Sequence, residues 1–484
     1  MTVGKSASTD SKTSKGTEKS AKSAKPKRSR ALRIGGGIAG VIVLALGGGA
    51  AVVINDNRQI VVEAPPAVSH VAAPAAAAQS SLDDGTLRQK VTEIMEASAA
   101  DPAFGQLHAV VSDASTGQQL WAKDDKALAT PASSLKILTS AAALLGLGEN
   151  HRVATSVSRV TGTNDVVLQG AGDPTLSVDG EGFFNDAASI ADLAEKVSKA
   201  IPEGVGTVYV DTSLFTETFH DKWEREGLAD GYIAPVESVM VDAGRIDPTD
   251  EDSQRSATPA ADAGAALATA LGAKNGGNLA EAEKDGAQLP LDPSPVATVD
   301  SAPLITRVHD MMNFSDNVLA ESIARELAIA RHLPPTFAGA AQAVRDTLTE
   351  HGFPLDGAVL SDSSGLSTDN RITPQHLAEV LNAAAGPEGS QEAGETSESK
   401  ALRPLLDCLP VAGVSGTLTT RFDGTPGAGV VRAKTGTLNK ASALAGYVVT
   451  ESGQVLTFVL ISNEASLLPA RAAADKAASK LAEI

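Results

Sequence analysis

Ser133-Ser134-Leu135-Lys136, Ser315-Asp316-Asn317 and Lys434-Thr435-Gly436-Thr437 follow one another in this order along the chain. The first kind of string is common. Ser-x-x-Lys recurs at Ser397-Glu398-Ser399-Lys400, in a polar stretch where no helical pattern places it. Composition alone gives roughly one or two such matches in a chain of this length, but only about 0.1 each of Ser-Asp-Asn and Lys-Thr-Gly. The ordered set is therefore informative where its members are not. Together the strings supply a serine nucleophile, a lysine to take its proton, and polar groups to hold a substrate.

The surroundings of the first string support that reading. Thr130-Pro131 reads as a helix start, with Thr as cap and Pro in the first turn. Leu135, Ile137, Leu138 and Ala141 continue the helix to Leu145, and Gly146 and Gly148 end it. Ser133 then falls in the first turn, and Lys136, three residues on, shares its face.

A serine hydroxyl is a poor nucleophile until a base removes its proton. Lysine serves as that base only when largely neutral, which burial and nearby positive charge favour. Lys434 supplies such charge if its strand lies beside the Lys136 helix. The Ser133 N–H, at a helix start, would face an oxyanion, with a second donor needed from elsewhere. Each string also has an ordinary reading: a helix-start serine, a helix cap at 315–317, a strand and turn at 434–437. As a set, Ser315 becomes a proton relay between Lys136 and the leaving amine. Asn317 becomes an amide that grips the substrate backbone. Lys434, Thr435 and Thr437 become binders of a substrate carboxylate, and Gly436 lets substrate approach the strand.

At 484 residues the chain should hold two or three folded units. Aromatics are only 3%, so the core must lean on Ala, Val and Leu. The single cysteine, Cys408, excludes an internal disulfide. Residues 1–33 carry a net charge of +8 and the remainder −27, so a basic, disordered tail precedes an acidic body that does not suit nucleic acid.

Residues 34–54 contain no charge. At ~1.5 Å per residue this stretch spans about 31 Å, enough for a bilayer core. A transmembrane helix is expected, with the basic tail in the cytoplasm and the bulk outside. Cleavage as a signal peptide near Gly49-Ala50 is the competing outcome, giving a secreted protein. Gly35-Gly36-Gly37-Ile38-Ala39-Gly40 matches a dinucleotide-binding pattern, but no strand precedes it and no acidic residue follows at the required distance. Residues 55–85 read as an Ala/Pro-rich linker.

Beyond the linker, residues 87–95 read as an amphipathic helix, and 107–111 with 119–121 as two strands around a turn. Residues 442–449 and 455–462 form a hairpin, and 468–481 a closing helix. Strands at both chain ends suggest one α/β domain, 86–154 plus 301–484, whose sheet joins the termini. Residues 155–300 would be a domain inserted between the first two strings. Its later part, past one helix near 260–271, reads as flexible, and 387–400 as a loop.

With these strings in place the chain resembles the penicillin-recognising serine acyl-transferases. Within them it is most similar to the penicillin-binding protein 4 type of D-alanyl-D-alanine carboxypeptidase/endopeptidase. Further stretches carry the resemblance: Gly170-Ala171-Gly172-Asp173-Pro174-Thr175-Leu176, Ser364-Gly365-Leu366-Ser367, and Leu409-Pro410-Val411-Ala412-Gly413-Val414-Ser415-Gly416-Thr417-Leu418. The resemblance implies a beta-lactamase/transpeptidase-like fold, an antiparallel sheet flanked by helices. It implies Ser133 as acyl-enzyme nucleophile, Lys136 as base, Ser315 and Asn317 as above, and Lys434 and Thr435 as carboxylate binders. It implies the Thr437 N–H as second oxyanion donor. The substrate would be a peptidoglycan stem peptide ending in D-Ala-D-Ala, with beta-lactams as inhibitors and no cofactor. Two departures stand out: the insertion is short for that family, and Ser363 stands in Asp362-Ser363-Ser364-Gly365 where Gly is usual.

The alternatives are a beta-lactamase and a non-turnover, wall-binding or beta-lactam-sensing ectodomain. The first needs a deacylating Glu-x-x-Leu-Asn, whose nearest match, Glu379-Val380-Leu381-Asn382, is one residue short. The second lacks a signalling domain. No His-Glu-x-x-His or Gly-x-Ser-x-Gly string supports a zinc peptidase or a nucleophile elbow.

Overall fold

The Val455–Asn463 strand lies at the centre of a five-stranded sheet and pairs on one side with the preceding hairpin strand, Ala441–Val449. Its other side takes Gln106–Asp113, from near the start of the folded chain. Val431–Leu438 and Gln119–Lys123 form the two edges, and every pairing is antiparallel. The computed structural model describes residues 82–284, 288–386 and 396–484, and the backbone of Val52–Ile54 and Ile60–Val62.

Strand periodicity divides the core between two faces. Leu107, Ala109, Val111, Leu444, Phe458 and Leu460 point to the side covered by the terminal helices Asp84–Ala99 and Leu467–Ala482. In the first helix Leu87, Val91 and Met95 recur every four residues and are fully buried. In the last, Ala470, Ala473, Ala474, Ala477 and Ala478 form a buried face whose small side chains allow close approach. Val110, Ala443, Ala445, Val459 and Ile461 point the other way. There they meet a helical layer built from Lys136–Leu147, Asn317–Ala330, Phe337–Glu350 and Pro374–Ala385. This is the expected α/β arrangement of an antiparallel sheet flanked by helices.

A second sheet is drawn entirely from residues 154–300, between the first two strings. Its order is Lys274–Asn278, Thr207–Asp211, Val166–Gly170, Ala154–Arg159 and Ala297–Asp300, with parallel and antiparallel pairs. Helices Ile190–Ala200 and Pro259–Leu271 share its hydrophobic cluster. The region expected to be flexible beyond residue 271 thus supplies both edge strands. Lys274-Asn275-Gly276-Gly277-Asn278 has low strand propensity and is held by parallel pairing to Thr207–Asp211.

Two expectations nearer the ends are corrected. Val52–Ile54, placed at the end of an anchor helix, pairs as a strand with Ile60–Val62. Residues 34–51 lie outside the described residues, and among those described no helix is long and apolar enough to cross a membrane. The second Ser-x-x-Lys is helical after all: Ser397–Leu402 is a short helix with Thr396 as its cap. Residues 387–395 of the expected loop lie outside the described residues.

Candidate active site

Ser133 lies in a 3₁₀ turn, Ala132–Leu135, that runs directly into the helix Lys136–Leu147. The Thr130 side chain does not cap it. Thr130 is instead held by its backbone, whose N–H donates to Asn463 Oδ1 at 2.8 Å and whose carbonyl accepts from Asn463 Nδ2 at 3.2 Å. Ala132 has φ of +48°, a left-handed conformation costly for a residue with a Cβ. Two glycines press on this turn. A Cβ at Gly436 would lie 2.6 Å from the Pro131 carbonyl, and one at Gly365 would lie 2.0 Å from the Ala132 carbonyl. Neither position admits a side chain without displacing the backbone of this turn.

Lys136 is fully buried and its Nζ donates three hydrogen bonds: to Ser133 Oγ at 3.0 Å, Asn317 Oδ1 at 2.7 Å and the Ser364 carbonyl at 2.7 Å. Burial pushes this amine down to about 8, against the raising influence of Asp362, Glu321 and Asp316. A neutral fraction at neutral pH is thereby available to accept the Ser133 proton.

The Ser315-Asp316-Asn317 string is a turn between two helices. Ser315 closes Leu304–Phe314 in a left-handed conformation, φ +55°. Asp316 caps Asn317–Ala330, accepting from Leu319 N at 2.9 Å. The ordinary cap reading therefore holds for Asp316, while its neighbours face the site. Asp316 also receives Arg245 Nη2 at 3.0 Å and Arg255 Nη2 at 3.3 Å, all three side chains being buried. Burial alone would raise this carboxyl, but Arg255 and Arg245 outweigh it and hold it at about 2. Asn317 Nδ2 donates to the Tyr232 carbonyl at 2.8 Å, which fixes its Oδ1 toward Lys136.

Lys434 is also fully buried, with Nζ donating to Ser315 Oγ at 2.8 Å and to the Thr435 carbonyl at 3.0 Å. Burial, then Lys136 and Arg421, depress its affinity for a proton well below the usual amine range. The two lysines thus sit behind Ser133 and Ser315. At Lys136 it is burial that lowers the amine; the repulsion between the lysines is felt at Lys434.

A cavity of about 880 Å³ opens onto Ser133, Ser315, Asn317, Thr435 and Thr437. Thr435 Oγ1 donates to Thr417 Oγ1 at 2.9 Å, and Thr437 Oγ1 accepts from Arg471 Nη2 at 2.6 Å. The seven site residues expected from sequence therefore converge. By contrast Ser397 and Lys400 are exposed, and Glu379 accepts a hydrogen bond from Gln375 one turn earlier on its own helix.

Sequence reasoning missed several neighbours. Glu321 is fully buried, and its Oε1 accepts from Ser363 N at 3.0 Å and Ser364 N at 2.7 Å. Burial, then Asp362, pushes this carboxyl up to about 7. A charged residue one turn after Asn317, within the apolar run Val318 to Ile323, was the available signal. Asp362 ties the loop together, accepting from Gly365 N, Ser367 N, Asn370 Nδ2 and Trp223 Nε1. At the unusual Ser363 the backbone N–H serves Glu321, while its buried hydroxyl has no hydrogen-bond partner among the described residues.

Comparisons with known proteins bear on the family of the chain. The sequence pattern of the D-Ala-D-Ala carboxypeptidase 3 (S13) family matches residues 91–256 and 249–483. A carboxypeptidase of Mycobacterium tuberculosis is 46% identical over 406 residues, covering 81% of this chain and 83% of its own. A D-alanyl-D-alanine carboxypeptidase of an Actinomadura species is 29% identical over 478 residues, covering 82% and 84%. The crystal structure of penicillin binding protein 4 from Haemophilus influenzae superposes with a TM-score of 0.62 at 21% identity, covering 81% of this chain and 98% of that one, a likeness of fold. On the length and depth of these matches, the chain belongs to the D-Ala-D-Ala carboxypeptidase 3 (S13) family.

Proposed function

We propose that the protein is a serine D-Ala-D-Ala carboxypeptidase that trims peptidoglycan stem peptides through an acyl-enzyme on Ser133. The observation that carries this reading is the 3.0 Å contact between Ser133 Oγ and the buried, depressed amine of Lys136 at the wall of an open cavity. Ser133 Oγ attacks the carbonyl of the penultimate D-Ala and its proton passes to neutral Lys136. The negative oxygen that forms meets the N–H groups of Ser133 and Thr437. The C–N bond breaks, and Ser315 Oγ, bonded to Lys434, relays a proton to the departing amine. Water then hydrolyses the Ser133 ester. Asn317 holds the substrate backbone, while Lys434, Thr435 and Thr437 meet the terminal carboxylate. A beta-lactam enters the same way, but its leaving amine stays tethered to the acyl group. Cleavage of cross-linked peptides at the same serine is a second activity this chemistry permits.

We read residues 86–154 with 301–484 as the catalytic domain and 155–300 as a domain inserted into it, consistent with their separate sheets. The uncharged residues 34–51, which precede the Val52–Ile54 strand, would act as an anchor, the basic tail staying inside and the catalytic domain facing the wall. The test is D-Ala release from a D-Ala-D-Ala muropeptide. The wild type should release D-Ala and Ser133→Ala should not. Penicillin acylation without any release would favour the sensor reading instead.

A further inference from the structure

Arg471 stands at the start of the closing helix, on the cavity wall beside the Lys434 strand. Its Nη2 donates to Thr437 Oγ1, and its buried Nε has no hydrogen-bond partner among the described residues. Its neighbour Arg421 takes the nearby carboxylate for itself, donating through both Nε and Nη2 to Asp475. Among the described residues Arg471 therefore has a basic neighbour but no ion-pair partner of its own. Burial and Arg421 both oppose its charge, with Asp475 giving partial relief. A guanidinium left in this state on a cavity wall is suited to an anion from outside.

Thr437 sharpens the geometry. Its oxygen accepts from Arg471, so its own hydroxyl hydrogen is directed elsewhere and remains available as a donor. Thr435, two residues earlier, lies on the same face of the strand. Its hydroxyl hydrogen is given to Thr417, so an anion at this end of the cavity that holds Ser133 would meet the Arg471 guanidinium and the Thr437 hydroxyl as donors.

We infer that Arg471 is a specificity-determining residue, recognising the free C-terminal carboxylate of the departing D-Ala and aligning the Thr437 hydroxyl on it. This rests on the carboxypeptidase reading. It makes the enzyme prefer a free acid to an uncharged peptide end.

The test compares a Lys-D-Ala-D-Ala peptide with its C-terminal amide, in the wild type, Arg471→Ala and Arg471→Lys. A charge-assisted contact of this kind corresponds to about 10- to 100-fold. The acid-to-amide ratio of kcat/KM should fall by that factor in Arg471→Ala, mainly through KM for the acid. Arg471→Lys should restore part of it. The ratio is internal to the active fraction, so partial misfolding cancels. Equal losses on both substrates, leaving the ratio unchanged, would reduce Arg471 to a structural support for Thr437 and overturn the inference. Hydrolysis of neither substrate by the wild type would instead overturn the carboxypeptidase reading itself.

Discussion

The amine of Lys136 is balanced between burial, which lowers it, and three carboxylates, which raise it. Glu321 acts on it in two ways: through space, and by gripping the Ser363-Ser364 backbone whose carbonyl receives Nζ. Glu321→Gln keeps an oxygen for both N–H groups but removes the charge. Lys136 should then lose its proton more readily, moving the rising limb of Ser133 acylation, near pH 8 in the wild type, to lower pH. Because Glu321 itself takes up a proton near 7, the two proteins should differ most above that pH. Penicillin acylation rates across pH would show this, and superimposable profiles would remove Glu321 from the electrostatics. At this scale the sequence was readable where reactive residues adjoin, as in Ser133 to Lys136. It was silent where chemistry depends on residues far apart in the chain, as with Glu321 and the Ser364 carbonyl, or Arg471 and Thr437.

Among the elements, the turn at 315–317 holds a cluster of buried charge. Asp316 both starts a helix and neutralises Arg245 and Arg255. Asp316→Ala would leave two buried guanidiniums uncompensated and should cost about 3–5 kcal/mol. The sign of the pH dependence follows from its lowered carboxyl. Its contribution is present above the unfolded value of 3.8 and is lost as pH falls toward about 2. Unfolding curves of wild type and variant should therefore differ at neutral pH and draw together in strong acid; a constant gap would refute the assignment. The hairpin and both terminal helices were legible because their apolar residues recur at strand or helix period. Lys274–Asn278 was not, since its pairing overrides glycine and asparagine propensities. The Thr130 cap was misread because a side chain from the neighbouring strand, Asn463, satisfies that backbone.

For the whole molecule, charge and hydropathy divide the chain before any motif does. If residues 34–51 anchor it, the full-length protein should sediment with membranes, while a chain starting at residue 82 should stay soluble and acylate with penicillin at an equal rate. Recovery of the full-length form in the soluble fraction at its full mass would defeat the anchor proposal. The fold class followed from strands near both ends of the chain, since only a shared sheet pairs them economically. The placement of the arginines from 245 and 255 against Asp316 did not follow, because nothing in a one-dimensional pattern links an insertion to the turn it supports.

The central sheet unites Gln106–Asp113 with Val455–Asn463, and Lys434 arrives only on the strand before that hairpin. During synthesis Ser133 and Lys136 must wait for roughly three hundred further residues before their last partner exists, and such distant pairings form slowly. The unfinished chain is thus a harmless one. It has its nucleophile early but no enclosed lysine pair, so activity is expected only after Gln106–Asp113 has met Val455–Asn463. For an enzyme directed at the cell's own wall, that order of assembly keeps the reactive serine idle in transit.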